Sequence, residues 1–206
     1  MNKLNIGISM RESNAINYNE KRDSIARDWF RYMKEVMPNA NWILLPNIGE
    51  DIIKYIHDWS INSFILSGGE DLGISYERDE TESVIFNYSR EENLPILGIC
   101  RGCQLVYKLI GGSIEKKNNE FSKFHTANYH EVIIENNIKK VNSYHSNALV
   151  ENQKLKEIEI IARCQKDNSI EAFKGYNLLG LMWHPEREIK FNEWDGNKIK
   201  KLFKYE

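Results

Sequence analysis

Three features of the sequence predict an α/β fold with a mostly parallel central sheet. Through the first half, short apolar runs alternate with amphipathic stretches. One of those runs, Pro95–Ile99, is apolar throughout, as a strand covered on both faces must be. After Gly112 the alternation gives way to short β-type runs separated by turn residues. The length of 206 residues fits a single domain spanning 1–206, and no repeat, low-complexity tract or linker interrupts it.

Taken in order, Leu4–Met10 (LNIGISM) reads as a strand, followed by a polar loop to about Asn19. From Arg22 to Val36, the residues Ile25, Trp29, Tyr32, Met33 and Val36 recur at three- and four-residue intervals, which predicts a helix. Trp42–Leu45 is a second strand closed by Pro46, and Ile52, Ile53, Ile56 and Trp59 mark another helix. Ser63–Leu66 forms a third strand ending at Ser67-Gly68-Gly69, and a helix pattern covers roughly Glu80 to Glu91. Pro95–Ile99 then leads into a helix, Gln104–Ile110, closed by Gly111-Gly112. Beyond it, Glu115 to Asn128 is polar and reads as loop. Val132–Ile134, Ala148–Val150, Ile158–Ala162, Ile170–Phe173 and Leu178–Trp183 are short strands, and Trp194 to Phe203 is a terminal helix.

Composition narrows the function. With 28 Lys and Arg against 30 Asp and Glu, the net charge is −2, so no global field draws in nucleic acid or an anionic membrane. No apolar run approaches the roughly 20 residues that span a bilayer, and Met1 to Met10 is too short and too weakly basic for a secretory signal. Three cysteines, an odd number, argue for a reducing cytoplasm and against a disulfide scaffold. Lys116-Lys117 and Lys200-Lys201 read as solvated faces.

The chemistry centres on Pro95-Ile-Leu-Gly98-Ile-Cys100-Arg-Gly102-Cys103-Gln104. Gly98 and Gly102 flank Cys100 at two residues on either side, the spacing of a nucleophile elbow. Such a turn lifts the sulfur above the sheet's carboxyl edge at a helix N-terminus, which lowers a thiol's pKa. A buried structural cysteine in a tight turn is the plain alternative. His184, in Trp183-His184-Pro185-Glu186, leaves the end of a strand, with Glu186 two residues on to hold its second nitrogen. A surface histidine in a loop is the competing reading there. At Gly68-Gly69 a strand ends in two glycines whose N–H groups can approach a ligand; with the N–H of Arg101, that of Gly69 would form an oxyanion hole, unless the pair is a simple turn. His57, His125 and His130 show no metal-ligand spacing with the cysteines, and Cys164 reads as packing.

Together these segments resemble a class I glutamine amidotransferase domain, and more narrowly the γ-glutamyl hydrolase-like branch (peptidase C26) that includes γ-glutamyl-GABA hydrolases. The resemblance runs nearly end to end. It covers Ile6-Gly7-Ile8-Ser9 with Tyr18, Glu20, Arg22 and Asp23, then Ser67–Asp71, Arg78–Glu82, Gly98–Gln104 and Gly111-Gly112. It continues through Val141–Ser146, Ser169–Ala172 and Trp183–Glu186. It implies a three-layer, flavodoxin-like amidotransferase fold with additional C-terminal strands. It also implies Cys100 as nucleophile, His184 as base and Glu186 as its orienter. Gly68, Gln104, Tyr144, His145 and the backbone at Ser146 and Asn147 would face the glutamyl group, with His145 in a supporting role. No metal or cofactor is implied, and the partner is a small γ-glutamyl substrate, with a homodimer left open. Two departures stand out: Cys103 occupies a position usually filled by other residues, and the segment between Asp71 and Arg78 is short.

Within that branch the leaving group is open. Arg11, Tyr18, Arg22, Tyr76 and Arg101 would form the rim, and arginines suit phosphate oxygens. The resemblance therefore admits a γ-glutamyl nucleotide phosphoramidate, such as γ-glutamyl-CDP-amidate in capsule-phosphoramidate synthesis. γ-Glutamyl-GABA or related conjugates compete with it, as does glutamine if the chain is a glutaminase subunit feeding a synthetase. Outside the branch, Cys100-Arg-Gly-Cys103 is also a C-x-x-C opening a helix, as in a thioredoxin-like redox protein, though that reading leaves Trp183–Glu186 without a task. A catalytically silent scaffold is disfavoured because all three positions of the presumed triad are filled.

Overall fold

In the computed structural model, which describes residues 3–152 and 154–205, the chain opens with β1 (Asn5–Ser9) in the middle of what becomes a parallel block. A hairpin of β2 (Arg11–Asn14) and β3 (Lys21–Ser24) stands apart as its own two-stranded sheet. There follow α1 (Asp28–Val36), β4 (Asn41–Leu45), α2 (Ile52–Asp58), β5 (Ser63–Leu66), α3 (Tyr76–Glu91), β6 (Ile96–Ile99) and α4 (Arg101–Leu109). The second half supplies β7 (Ser113–Lys116), α5 (Asn119–His125), β8 (Thr126–Ile134), β9 (Asn137–Tyr144) and β10 (Asn147–Val150). It closes with β11 (Ile158–Cys164), β12 (Ile170–Gly175), β13 (Leu178–Leu181) and α6 (Glu193–Leu202).

Among the described residues, eleven strands join in one sheet, whose main path runs β4-β1-β5-β6-β13-β12-β11-β8-β9. The first five of these are mutually parallel, and from β12 onward the pairing is antiparallel. The parallel strands carry apolar side chains on both faces because helices cover both. On one face Ile6, Ile8, Ile65, Leu97 and Ile99 meet Trp29, Tyr32 and Met33 of α1 and Ile199 of α6. On the other, Phe64, Leu66 and Ile96 meet Ile52 and Ile56 of α2, Ile85 of α3 and Val106 of α4. β13 is the last strand of the chain, yet it inserts beside β6 at the centre. That insertion brings residues more than eighty positions apart to the same carboxyl edge of the sheet.

Three expectations require correction. The loop expected before Asn19 is partly the β2–β3 hairpin, and the helix expected from Arg22 begins at Asp28. Lys21–Ser24 pairs with Arg11–Asn14, and the Asp23 carboxylate accepts the Asn47 N–H (2.8 Å) and side-chain amide (2.6 Å). Ile25 still packs on the core, so it mimicked a helical position from the segment between β3 and α1. The segment Glu115 to Asn128 is not loop: it holds the end of β7, paired to β10, and the seven-residue α5, capped by the Asn118 side chain on the Phe121 N–H (3.0 Å). Two turns are too short for a periodic apolar signal to emerge.

The contact that fixes the strand–helix turn is between backbones. A Cβ added at Gly102, in the first turn of α4, would lie 2.1 Å from the Leu66 carbonyl oxygen at the end of β5. Only glycine allows this approach. Gly102→Ala is therefore expected to destabilise the fold by on the order of 3 kcal/mol, since a backbone rather than a flexible side chain must move. Urea denaturation checks this, and a wild-type midpoint with an unchanged slope would contradict it.

Candidate active site

Cys100 occupies the one-residue gap between β6 and α4 with φ +49° and ψ −103°, a conformation that non-glycine residues rarely adopt. Its N–H donates to the Leu181 carbonyl of β13 (2.7 Å), and its carbonyl accepts the Gln104 N–H as the first bond of α4 (3.0 Å). The strained turn is thus held from both sides, as a built feature of the site. Cys103, three residues on, points the other way. Cys100 packs in the core shared with α1, whereas Cys103 packs in the core beneath α4, and burial pushes its thiol well above the ordinary range. The two sulfurs are thus packed into different cores, unlike the facing thiols of a redox C-x-x-C.

His184 leaves β13 along a path pinned by Asn142. The Asn142 side chain accepts the His184 N–H (2.9 Å) and donates to its carbonyl (2.7 Å). Glu186, in the short 3-10 turn Pro185–Arg187, places Oε1 2.7 Å from His184 Nδ1. A carboxylate only accepts, so Nδ1 carries a proton and Nε2 is the exchangeable nitrogen, on the side of Cys100. Burial opposes the charge on His184, but the Glu186 carboxylate and the Cys100 sulfur outweigh it and raise the imidazole pKa to about 9. Burial likewise would raise the Cys100 thiol, but the adjacent His184 holds it below its ordinary value. The pair is therefore biased toward thiolate and imidazolium at neutral pH. Tyr144 covers the ring edge-on, with centroids 5.5 Å apart.

The glycine pair after β5 lies against this imidazole: a Cβ at Gly68 would sit 2.4 Å from His184 Cε1. Arg78 of α3 orients the same segment. Its guanidinium donates to the carbonyls of Ser67 (2.8 Å) and Gly68 (3.3 Å) and pairs with Glu70 (3.0 Å). In a trans peptide the C=O and the next N–H point oppositely, so fixing the Gly68 carbonyl toward Arg78 turns the Gly69 N–H away from it. Arg78 also donates through Nε to Glu82 (3.0 Å), and Glu82 accepts the Ser9 hydroxyl (2.6 Å) and pairs with Arg101.

That last ion pair corrects one expectation. The Arg101 side chain is buried, tied to Glu82 and Asp79, and does not belong to the rim; only its backbone faces the elbow. Arg22 is engaged by Tyr18 and Glu20 on the β2–β3 hairpin, and Tyr18 and Tyr76 are exposed. Arg11 does line a narrow cleft walled by Ser67, Gly68 and Glu186. The same cleft contains Arg187, which sequence reading missed, stacked over Tyr144 at 4.4 Å. Its position directly after the His-Pro-Glu run was the available signal.

On the other side of Cys100, Gln104 is buried and its Oε1 has no partner among the described residues. The Asn147 side chain donates to Asp71 (3.0 Å), and the Ser146 carbonyl accepts the Lys117 N–H (3.1 Å). His145 is buried behind them, its Nδ1 bonded to the Asn147 carbonyl (3.0 Å). The structure thus brings Cys100, Glu186, Tyr144 and Gly68 around the His184 ring, with Arg11 at the adjacent cleft, whereas Tyr18, Tyr76 and the side chains of Arg22 and Arg101 are not part of that arrangement. Asn142 and Glu82 were missed as supports because His184, Ser9 and Arg101 lie far from them in sequence, and Arg78 because nothing local shows its side chain turning onto the glycine segment.

The sequence pattern of the peptidase C26 family matches residues 5–186. A γ-glutamyl-CDP-amidate hydrolase from Campylobacter jejuni is 36% identical over 198 residues, covering 91% of this chain and 92% of that protein. Among solved structures, a glutamine amidotransferase from Thermotoga maritima superposes with a TM-score of 0.66 at 14% identity, covering 99% of this chain and 86% of that one. A glutamine amidotransferase from Methylobacillus flagellatus gives 0.62 at 12% identity, over 90% of this chain and 71% of that one. The architecture is thus the class I glutamine amidotransferase fold.

Glu82 provides a test of how the site is held. Its carboxylate has no exposed surface; burial would raise its pKa, but Arg78 and Arg101 hold it below the usual carboxylate range. Glu82→Gln is expected to cost about 3–5 kcal/mol, because two buried guanidinium groups lose the counter-charge they share, Arg78 keeping only Glu70 and Arg101 only Asp79. Because the folded pKa is depressed, this stabilisation is present above the unfolded pKa and is lost as pH falls through the folded one. A denaturation series from neutral pH into acid on both proteins measures it, and a difference that did not shrink in acid would contradict the assignment.

Proposed function

Because the chain belongs to the peptidase C26 family, and is a hydrolase of amide bonds, we propose that it cleaves γ-glutamyl amides through a thioester on Cys100. The observation that carries this reading is the mutual bias of Cys100 and His184, with Glu186 fixing the imidazole from behind. The Cys100 thiolate attacks the γ-carbonyl carbon, and the N–H groups of Gly69 and Arg101 receive the developing oxyanion. As the C–N bond breaks, His184 delivers its Nε2 proton to the departing nitrogen. Water then gives a proton back to His184 while its oxygen attacks the thioester, releasing glutamate and restoring the thiolate. Gln104, with its unpartnered buried oxygen, and the backbone at Ser146 and Asn147 would read the amino-acid end.

For the leaving group, Arg11 and Arg187 support an anionic occupant. Arg11 makes no ion pair among the described residues, and the Arg187 Nε lies 3.7 Å from Glu186, beyond a hydrogen bond. Two guanidinium groups at one cleft suit the diphosphate of a nucleotide phosphoramidate better than the single carboxylate of a GABA conjugate. The relative from C. jejuni, similar over nearly its full length, supports the same choice.

Cys100→Ala should abolish hydrolysis in a folded protein, whereas Cys103→Ala should retain it. With γ-glutamyl-CDP-amidate, γ-glutamyl-GABA and glutamine compared side by side, the phosphoramidate should give the highest kcat/KM. Arg11→Ala and Arg187→Ala should each lower that value about tenfold or more, through KM, and leave glutamine nearly untouched. A preference for γ-glutamyl-GABA would overturn the phosphate reading, and a preference for glutamine would favour a synthetase partner.

The pH profile follows from the two shifts. kcat/KM should rise from acid as Cys100 loses its proton below the ordinary thiol range, and fall as His184 loses its own near pH 9. Glu186→Gln removes the carboxylate that raises His184, so the alkaline limb should move to lower pH with a smaller loss at neutrality. An alkaline limb that stayed in place would separate Glu186 from the imidazole.

A further inference from the structure

Beneath the glutamyl side of the cleft, four elements converge on one buried carboxylate. Glu171 of β12 has no exposed surface. Around it stand His125 at the end of α5, His130 of β8 and His145 after β9, all buried. Glu171 Oε1 lies 3.5 Å from His125 Nδ1, and Oε2 lies 3.5 Å from both His130 Nε2 and His145 Nε2. None of these approaches is a hydrogen bond. His125 Nδ1, both nitrogens of His130, His145 Nε2 and Glu171 Oε2 have no partner among the described residues.

The outward nitrogens decide what faces inward. His125 Nε2 meets Asp167 Oδ2 at 2.8 Å, and a carboxylate only accepts, so Nε2 carries the proton. Asp167 is itself fixed, because its other oxygen accepts the Ser169 N–H (3.0 Å) and hydroxyl (2.7 Å). His145 Nδ1 meets the Asn147 carbonyl at 3.0 Å, so Nδ1 is the protonated nitrogen there. In the neutral rings, His125 Nδ1 and His145 Nε2 therefore present bare lone pairs to a carboxylate that also has only lone pairs. A positive charge between them, a ring proton or a metal ion, relieves that repulsion. A proton on any ring would draw the N···O distance to about 2.7–2.9 Å. With metal–ligand bonds of about 2.0–2.2 Å, the ligands of a tetrahedral zinc ion stand roughly 3.3–3.5 Å apart, the separation found at all three approaches. One ligand atom each from His125, His130 and Glu171 falls within 4.8 Å of the other two. A histidine oriented by an outer carboxylate or carbonyl is also the usual support of a metal-bound imidazole.

We propose that His125, His130 and Glu171 hold a divalent transition-metal ion, zinc by their donor set. It ties α5, β8 and β12 together directly behind Ser146 and Asn147. Phe121 stacks on His125 (4.0 Å) and Phe124 on His130 (5.6 Å), closing the centre from solvent. His125 and His130 stand in a His-x4-His spacing, but Glu171 lies on a strand far along the chain, so the sequence does not show that the three meet.

The test is metal content, independent of turnover. Protein made without a polyhistidine tag in zinc-supplemented medium, then passed over a chelating resin, should retain about one zinc per chain. Cys100→Ala should retain it equally, which excludes the active-site thiol as ligand. His130→Gln and Glu171→Gln should each fall below about a tenth of that content. Should either variant fail to fold, cobalt loaded into metal-free wild type gives the same answer: tetrahedral d–d bands with no thiolate charge-transfer band are expected. A wild type that takes up neither zinc nor cobalt in competition with a chromophoric chelator overturns the proposal, and protons then hold the cluster. Zinc retained by His130→Gln, lost from Cys100→Ala, or a thiolate band on cobalt, overturns it as well.

Discussion

The Glu82 carboxylate, with no surface of its own, lies between the guanidinium groups of Arg78 and Arg101 and under the Ser9 hydroxyl. Through those contacts a single side chain of α3 reaches the end of β1, the glycine segment after β5 and the first residue of α4. These are the elements that present the Gly69 N–H, the Cys100 sulfur and the Arg101 N–H. A buried ion cluster of this kind adds little net stability compared with apolar packing, because desolvation offsets most of the attraction. What it supplies is geometry. The charges have one arrangement in which every member is paired, and that arrangement orients the peptide units of the cleft.

The insertion of β13 beside β6 is the second constraint. It carries His184 to the sulfur, and the Leu181 carbonyl that closes the β6–β13 ladder also holds the Cys100 N–H. The strained elbow and the imidazole are therefore fixed by the same pair of strands. Asn142 of β9 then clamps the His184 backbone from the antiparallel half of the sheet. The electrostatic bias between sulfur and imidazole follows from that placement: two groups that would each be driven neutral by burial stabilise one another's charged forms.

The antiparallel half is more than a continuation of the sheet. It brings α5, β8, β9 and β12 together beside Ser146 and Asn147 and concentrates three of the chain's five histidines around Glu171. It also presents Tyr144 and Asn142 to the His184 loop. The cleft is backed at Ser67 and Gly68 by the charged cluster, through Arg78. A rim containing Arg11 and Arg187 lies between its mouth and solvent.

From the sequence alone, the elements with strong periodicity or continuous apolarity could be read: the parallel strands, the helix around Trp29 to Val36, and the strand that ends at Cys100. The turn at Cys100 was legible because a strand, two glycines and a helix leave the backbone few alternatives over five residues. The motifs around Gly68 and His184 were legible by resemblance, since local spacing cannot say that two segments meet. Only the tertiary structure decided what lies opposite what. It turned Arg101 inward onto Glu82 and Asp79, and it made a hairpin of Arg11–Asn14 and Lys21–Ser24. It sent Cys103 to the far face of the sheet and gathered His125, His130 and His145 onto Glu171. The physical reason is common to all four. Each outcome is set by a partner distant in the chain, a counter-charge, a pairing strand or a packing face, and a linear pattern records the periodicity of a segment without recording its partner.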